Sequence, residues 1–120
     1  MAGSPRRLEW SASASGDLLA IDAWYAQFGE ATAERVIQSI VAAANGLRQY
    51  PFSGPKGIRP GTRHRVIGAY PYTLVYRVSA HAVRVVRVLH QRRAYFQRVL
   101  REEMAEYAVK PHARRAKRAR

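Results

Sequence analysis

The 120-residue chain contains no cysteine and only four histidines, His64, His81, His90 and His112. Disulfides and thiolate metal sites are therefore excluded, and the histidines show no spacing typical of metal ligands. No apolar run approaches the roughly 18 residues of a membrane span, and the basic start lacks the apolar stretch of a signal peptide behind it. We expect a cytoplasmic protein with no membrane contact, no metal and no cofactor.

Acidic residues are also scarce. The chain carries 21 Lys and Arg against 8 Asp and Glu, a formal net charge of +13. No acid lies between Glu34 and Glu102, a stretch that holds thirteen Arg or Lys residues. Solubility needs less charge than this, and a guanidinium binds carboxylate or phosphate through two parallel hydrogen bonds. The distribution indicates an acidic partner, although a solvated face in an arginine-rich protein also explains any single arginine.

The N-terminal half has the pattern of a strand followed by two helices. Residues Arg7–Trp10 alternate as a strand does, and Ser11 stands where a helix N-cap is expected. Apolar residues at three- and four-residue steps predict helices over residues 12–28 and 33–47, separated at Gly29. Because the connection is short, the two helices must fold back on each other as an αα-hairpin.

The C-terminal half is a loop followed by a strand-rich segment. Residues 50–62 hold three prolines and three glycines, which prevent a regular helix or strand. Strands are predicted over residues 62–67, Tyr72–Val78 and Ala82–His90, with tight turns between them. We therefore predict an α+β fold of order β-α-α-β-β-β, in which an N-terminal strand and a helical hairpin pack on a small twisted antiparallel sheet.

Alternation along the strands predicts two unlike sheet faces. The face with Tyr72, Leu74 and Tyr76 should receive the helices. On the last strand, simple alternation groups Val83 and Val85 with Arg87, and Val86 and Val88 with Arg84 and His90. Neither face of that strand is then purely apolar. We expect the second face of the sheet to be half covered or open to a partner.

The chain beyond the last strand divides into two parts. Residues 92–107 are compatible with a C-terminal helix whose apolar stripe is Tyr95, Phe96, Val99, Leu100 and Met104. Residues 108–120 are basic and lack large apolar side chains, so they should be disordered on their own. We expect a single domain over residues 1–107, followed by this tail.

Two strings of residues resemble the ParE branch of the RelE/ParE toxin family. They are YPYTLVYRV at residues 70–78 and RVLHQRR at residues 87–93. Further matches are Trp10-Ser11, Asp17, Tyr50-Pro51-Phe52, Arg63 and Gly68. The resemblance covers about residues 8–96. It implies the toxin of a type II toxin–antitoxin pair, held in a hetero-oligomer by a cognate antitoxin that is acidic and folds on binding.

The resemblance and the charge pattern together predict two sets of contact residues. The target-binding set is Arg63, Arg77, Arg87, His90, Arg92 and Arg93. The antitoxin-binding set is Trp24, Tyr25, Arg84 and Tyr95. Aromatic residues at helical spacing most often belong to the core or to an interface. This is the alternative explanation for Trp24 and Tyr25.

The family includes two activities. ParE-like members inhibit DNA gyrase, which stays trapped on cleaved DNA, and perform no chemistry. RelE-like members cut messenger RNA on the ribosome, and a nuclease of this kind would use His90 and Tyr95 as acid or base beside Arg77 and Arg87. At two positions near the first turn of the meander where RelE-like members carry arginines, this chain has Val66 and Pro71, and two phosphate contacts are thereby absent. The resemblance therefore favours a gyrase inhibitor without catalytic residues.

Two alternatives stay open at the level of the sequence. His90 stands at a strand end, where a histidine often hydrogen-bonds a neighbour and has no catalytic role. The whole chain is also compatible with a non-toxic, basic nucleic-acid-binding module whose affinity falls steeply with salt. Neither an RNA-recognition pattern nor a helix-turn-helix pattern supports that alternative.

Overall fold

The computed structural model of the chain describes residues 4–57 and 59–91. The elements are β1 (Arg7–Trp10), α1 (Ala12–Ala26), α2 (Glu30–Gly46), β2 (Arg63–Ile67), β3 (Tyr72–Val78) and β4 (Ala82–His90). This confirms the α+β fold and its predicted order. The predicted helix over residues 92–107, the domain boundary at residue 107 and the basic tail all lie outside the described residues.

The helical hairpin begins and turns where the sequence places its signals. Ser11 caps α1, because its Oγ accepts a hydrogen bond from the backbone N–H of Ala14 at 3.0 Å. The same hydroxyl donates to the carbonyl of Val86 at 2.9 Å, which ties the start of α1 to β4. Gly29 joins the two helices with φ +119°, a conformation that other residues rarely adopt. In the described part of the chain, neither helix is long and apolar enough to cross a bilayer.

The four strands form one sheet of order β1-β4-β3-β2. Strands β2, β3 and β4 form the predicted antiparallel meander. Strand β1 joins the other edge, parallel to β4, so that the sheet is mixed. The parallel pairing arises because the chain leaves β1 through the helices instead of a hairpin turn.

A β-bulge in β4 changes which side chains share a face. Val75 and Tyr76 of β3 lie opposite Arg87 and Val85, which leaves Val86 as an extra residue. Because one extra residue moves every later side chain to the other face, the alternation predicted for β4 was wrong beyond Val85.

The sheet face that packs against α1 and α2, here called the helix face, is apolar. Tyr72, Leu74 and Tyr76 of β3 lie on this face, as predicted. On β4 the residue that follows Val85 on this face is Val88 and not Arg87, which corrects the predicted grouping. The buried core contains Ala14, Ile21, Val36, Ile40, Ala44, Leu47, Ile67, Tyr72, Leu74, Tyr76, Val83, Val85 and Val88. Each large side chain buried in it contributes about 1.5–3 kcal/mol to folding.

The opposite face, here called the arginine face, has two unlike ends. It includes Thr73, Val75 and Arg77 of β3 and, opposite them in register, Leu89, Arg87 and Arg84 of β4. Arg77 and Arg84 lie directly opposite each other and are exposed. Thr73, Val75 and Leu89 are buried, at 3%, 1% and 0% exposure, although they lie outside the core cluster.

Candidate functional site

Arg87 is held by a carboxylate. Its Nε and Nη2 donate to the two oxygens of Asp17 on α1, at 2.9 and 3.2 Å. The backbone N–H of Val88 donates to the same carboxylate at 2.8 Å. Strand β1 pairs with β4 only as far as Val85, so Asp17 takes the place of a strand at the free edge beyond it. Arg87, predicted to contact the target, therefore fixes α1 to the sheet.

Arg63 also has an internal role. Its Nη1 donates to the carbonyl of Gly54 at 2.7 Å, and its guanidinium lies 5.0 Å from the centre of the Phe52 ring. Arg6 lies 5.6 Å from the same ring centre. These contacts hold residues 52–54 of the loop against β2, and the role of Arg63 as a target contact stays a prediction.

Tyr76 anchors the same loop from inside, which the sequence reasoning missed. Its hydroxyl donates to the Pro51 carbonyl at 2.8 Å and accepts from the Gly54 N–H at 3.2 Å. A Cβ on Gly54 would collide with the carbonyl oxygen of His64 and lie 2.7 Å from the Tyr76 hydroxyl. Burial raises the pKa of the Tyr76 hydroxyl above its ordinary value. The Tyr50-Pro51-Phe52 string was the available signal that this loop is fixed.

His90 lies on the helix face. It stands opposite Tyr72 in register, and the two rings meet edge to face with centres 5.1 Å apart. The pair lines a small cleft of about 190 Å³ between α1 and β4, together with Asp17 and Trp24. Arg77 lies on the arginine face, so the sheet separates it from His90. The structure does not bring these two predicted nuclease residues together.

Arg77 and Arg84 are the predicted contact residues that the structure exposes on the arginine face. Arg77 donates through Nη1 to the Pro60 carbonyl at 3.3 Å. Arg84 lies 3.5 Å from Glu9, with side chains 50% and 35% exposed. An exposed ion pair of this kind contributes only about 0–1 kcal/mol, and Arg84 is therefore available to an acidic partner.

The two predicted aromatic anchors differ. Tyr25 is half-buried and packs edge to face against Tyr70 and Tyr72, with ring centres 6.4 Å apart in both pairs. Trp24 is 47% exposed and stands 6.0 Å from the exposed Phe28 ring. The structure thus places Tyr25 in the packing between α1 and β3, whereas Trp24 and Phe28 form an aromatic patch on the surface.

Three predicted contact residues, Arg92, Arg93 and Tyr95, lie outside the described residues, and their assigned roles stay predictions. Within residues 4–57 and 59–91, no three His, Asp or Glu side chains come together as metal ligands would.

A groove along the helical hairpin escaped the sequence reasoning. It has a volume of about 860 Å³ and lies between α1 and α2, with Leu18, Leu19 and Ile37 in its lining. Leu19 is 71% exposed. The acids Asp22, Glu30 and Glu34 line the groove as well. The available signal was the pair Leu18-Leu19, which one helix face cannot bury together.

Two curated proteins are similar to this chain over most of their length. Toxin Y4kP of Sinorhizobium fredii is 33% identical over 87 residues, which cover 72% of this chain and 90% of that protein. Toxin RelE2 of Caulobacter vibrioides is 31% identical over 84 residues, 70% of this chain and 93% of that protein.

Two solved structures share the fold. The chromosomal ParDE toxin–antitoxin system from P. aeruginosa superimposes with a TM-score of 0.64 and 26% identity, over 71% of this chain and 95% of that one. The toxin–antitoxin complex RelBE2 from Mycobacterium tuberculosis gives 0.56 and 26%, over 72% and 92%. The family model for the ParE toxin of the type II toxin–antitoxin system parDE matches residues 8–95. The chain therefore belongs to the ParE toxin family, within the RelE/ParE superfamily of type II toxins.

Proposed function

We propose that this ParE-family toxin stops growth by trapping DNA gyrase on cleaved DNA, and that a cognate antitoxin neutralises it. The observation that carries the proposal is the separation of the predicted nuclease residues: His90 lies on the helix face, Arg77 on the arginine face, and Arg87 is bound to Asp17. RNA cleavage requires an acid, a base and a cation around one phosphate. A docking surface requires only exposed groups such as Arg77 and Arg84.

The antitoxin half of the proposal is supported by the similar structures, since both are toxin–antitoxin complexes. The described surface offers two features that suit a partner which folds on binding. Exposed apolar side chains, including Trp24 and Phe28, would act as anchors. Exposed arginines, including Arg84, would speed association with an acidic segment and select it.

The test places two assays side by side, with toxin released from its antitoxin. Purified gyrase is incubated with supercoiled plasmid, and ribosomes programmed with a defined message are incubated in parallel. We expect linear plasmid to accumulate only when toxin and gyrase are both present, while the message stays intact. The control contains toxin and plasmid without gyrase. Binding of the plasmid by toxin alone at low salt would favour the nucleic-acid-binding alternative.

A second candidate is ribosome-dependent cleavage of messenger RNA. It is favoured by the similarity to toxin RelE2 and to the RelBE2 complex. In that case His90 and Tyr95 would be the acid and base candidates. Cut message together with unaffected gyrase would establish this activity and exclude gyrase as the target.

A further inference from the structure

A second cleft lies in the loop of residues 50–62 and is here called the loop cleft. Its volume is about 490 Å³. Among the described residues, the charged side chains in its lining are all cations, namely Lys56, Arg59 and Arg63. The groove along the helical hairpin, by contrast, is lined by three acids. The two cavities of this molecule therefore select ligands of opposite charge, and the loop cleft suits an anion.

Two arginines at the loop cleft bind acceptors that carry no net charge. Arg63, in the lining, donates to the Gly54 carbonyl at 2.7 Å. Arg77, at the rim, donates to the Pro60 carbonyl at 3.3 Å. A guanidinium has five N–H donors, and a bond to a carbonyl does not neutralise its charge. Both arginines can therefore hold the loop and bind an anion at the same time.

Short hydrogen bonds fix the backbone of the loop cleft. The Thr62 hydroxyl donates to the Arg59 carbonyl at 2.6 Å, and the Gly57 N–H donates to the Thr62 carbonyl at 2.7 Å. Gly61 has φ +82°, and a Cβ on it would lie 2.7 Å from Nη1 of Arg77. Glycine at this position therefore lets the guanidinium approach the loop. A site whose groups are held in place before the ligand arrives binds it at a lower entropic cost.

The chemistry of the loop cleft suits a ligand with phosphate groups and an aromatic ring. A guanidinium donates two parallel hydrogen bonds to phosphate oxygens, and a lysine adds a point charge. A phosphate monoester carries about −1.5 to −2 charges at neutral pH, more than a carboxylate does. Phe52 is 59% exposed in the lining, with the guanidiniums of Arg6 and Arg63 beside its ring. Bases stack on aromatic rings and on guanidinium planes.

We propose that the loop cleft binds a nucleoside phosphate, with the phosphates among Lys56, Arg59 and Arg63 and the base beside Phe52. Arg77 adds a fourth cation at the rim. The volume lies within the range of sites that bind small ligands, roughly 300–1,000 Å³. The ligand is held by charge and stacking, and no bond is made or broken. The inference goes beyond the proposed function, because the site is the same whether gyrase or the ribosome is the target.

Binding is tested on ¹⁵N-labelled full-length toxin, with adenosine diphosphate as the probe beside adenosine monophosphate and inorganic phosphate. We expect the amide signals of Gly57, Gly61 and Thr62 to shift, while those of α2 stay unchanged. Affinity should fall from the diphosphate to the monophosphate to inorganic phosphate. Unchanged signals at the three glycine and threonine amides would overturn the inference. Equal affinity for the diphosphate and inorganic phosphate would reject the nucleotide, and tighter binding of a thymidine tetranucleotide would identify a DNA strand as the ligand instead.

Two double variants of equal net charge separate the loop cleft from the general positive charge of the chain. Lys56→Gln with Arg59→Gln removes two cations from the lining. Arg7→Gln with Arg35→Gln removes two cations from β1 and α2. The dissociation constant for adenosine diphosphate should rise about tenfold in the first variant and less than about twofold in the second, whose charges are distant and screened. Equal increases would show non-specific attraction and overturn the inference.

Phe52→Leu tests the place of the base. Loss of a stacking ring should weaken binding of adenosine diphosphate about fivefold. Binding of inorganic phosphate should not change, since it has no base to stack. Equal affinity of the variant and wild type for the diphosphate would reject the assignment of the base to Phe52. Wild-type toxin that is inactive on gyrase would reject the proposed function and leave the nucleotide site in place.

Discussion

The arginines at the edges of the sheet and those at the exposed end of the arginine face have different surroundings. Arg63 and Arg87 reach acceptors within the fold, the Gly54 carbonyl and the Asp17 carboxylate, at 2.7 and 2.9 Å. Arg77 and Arg84 have longer, exposed contacts of 3.3 and 3.5 Å. An arginine with a close acceptor inside the fold holds the fold together, whereas an arginine with only distant, exposed acceptors is available to a partner.

The largest expected effect is at Arg87, because its loss leaves a partly buried carboxylate without a counter-ion. Arg87→Ala should lower the free energy of unfolding by about 2–3 kcal/mol. Arg84→Ala is the matched control, and we expect it to cost less than about 1 kcal/mol. Urea unfolding of both variants measures the difference. Equal losses would remove the distinction between the two groups of arginines.

Tyr76→Phe tests the buried hydrogen bonds that hold the loop of residues 50–62, the same loop that Arg63 contacts. Removal of the hydroxyl leaves the Pro51 carbonyl and the Gly54 N–H without a partner, which should cost about 1–3 kcal/mol. Thermal and urea unfolding measure the loss. Tyr50→Phe is the control, because Tyr50 is 69% exposed and should tolerate the change. A loss of equal size at Tyr50 would contradict the anchoring role of Tyr76.

The same tyrosine predicts a dependence of stability on pH. Burial raises the pKa of Tyr76 above 10.0, so the folded state retains this proton at pH values where the unfolded state releases it. Its contribution is fully present below about pH 10 and is lost as the pH rises through the raised pKa. Tyr76→Phe should therefore lose less stability than wild type between pH 9 and pH 11, roughly the range around the ordinary tyrosine pKa. Parallel curves for the two proteins would contradict the burial of this hydroxyl.

Arg63→Ala should have a smaller effect than Arg87→Ala, because its partners are neutral. The loss of the hydrogen bond to Gly54 and of the contact with the Phe52 ring should cost about 1–2 kcal/mol. Arg65→Ala, on the same strand and exposed, is the control. Hydrogen exchange in residues 50–57 should accelerate only in the Arg63 variant. Unchanged exchange there would mean that Tyr76 alone holds the loop.

The smallest effect on folding is expected for Arg77→Ala combined with Arg84→Ala. Both side chains are exposed, and each substitution should change the free energy of unfolding by less than about 1 kcal/mol. The double variant should nevertheless associate more slowly with the antitoxin, with a weaker dependence on salt. Stopped-flow association at two salt concentrations measures this. Wild-type kinetics in the double variant would exclude these arginines from the antitoxin interface.

The fold could be predicted from the sequence because its signals are local. Alternation gave the bounds of β1, β3 and β4, and Ser11 and Gly29 marked the start and the turn of the helical hairpin. The bulge at Val86 has no such local signal, since it depends on how β4 pairs with β3. The parallel position of β1 likewise follows from tertiary packing.

The candidate site was less predictable for the same reason. Strand alternation grouped His90 with Arg84, whereas the bulge and the Tyr72 contact place it on the helix face. The acceptor of Arg87 is Asp17, seventy residues earlier in the chain, and no spacing rule connects such distant residues. The exposed arginines and Trp24 were predictable as contact residues, because each leaves charge or apolar surface exposed in the described part of the fold.

The most direct test of the account titrates toxin in the gyrase cleavage assay, with programmed ribosomes in parallel. Wild-type toxin is compared with the Arg77→Ala, Arg84→Ala double variant and with Arg35→Ala, an exposed arginine on α2 outside the sheet. We predict equal linearisation of plasmid by wild type and Arg35→Ala, a higher half-maximal concentration for the double variant, and intact message throughout. Cleaved message without linear plasmid, or full activity of the double variant on gyrase, would contradict the account.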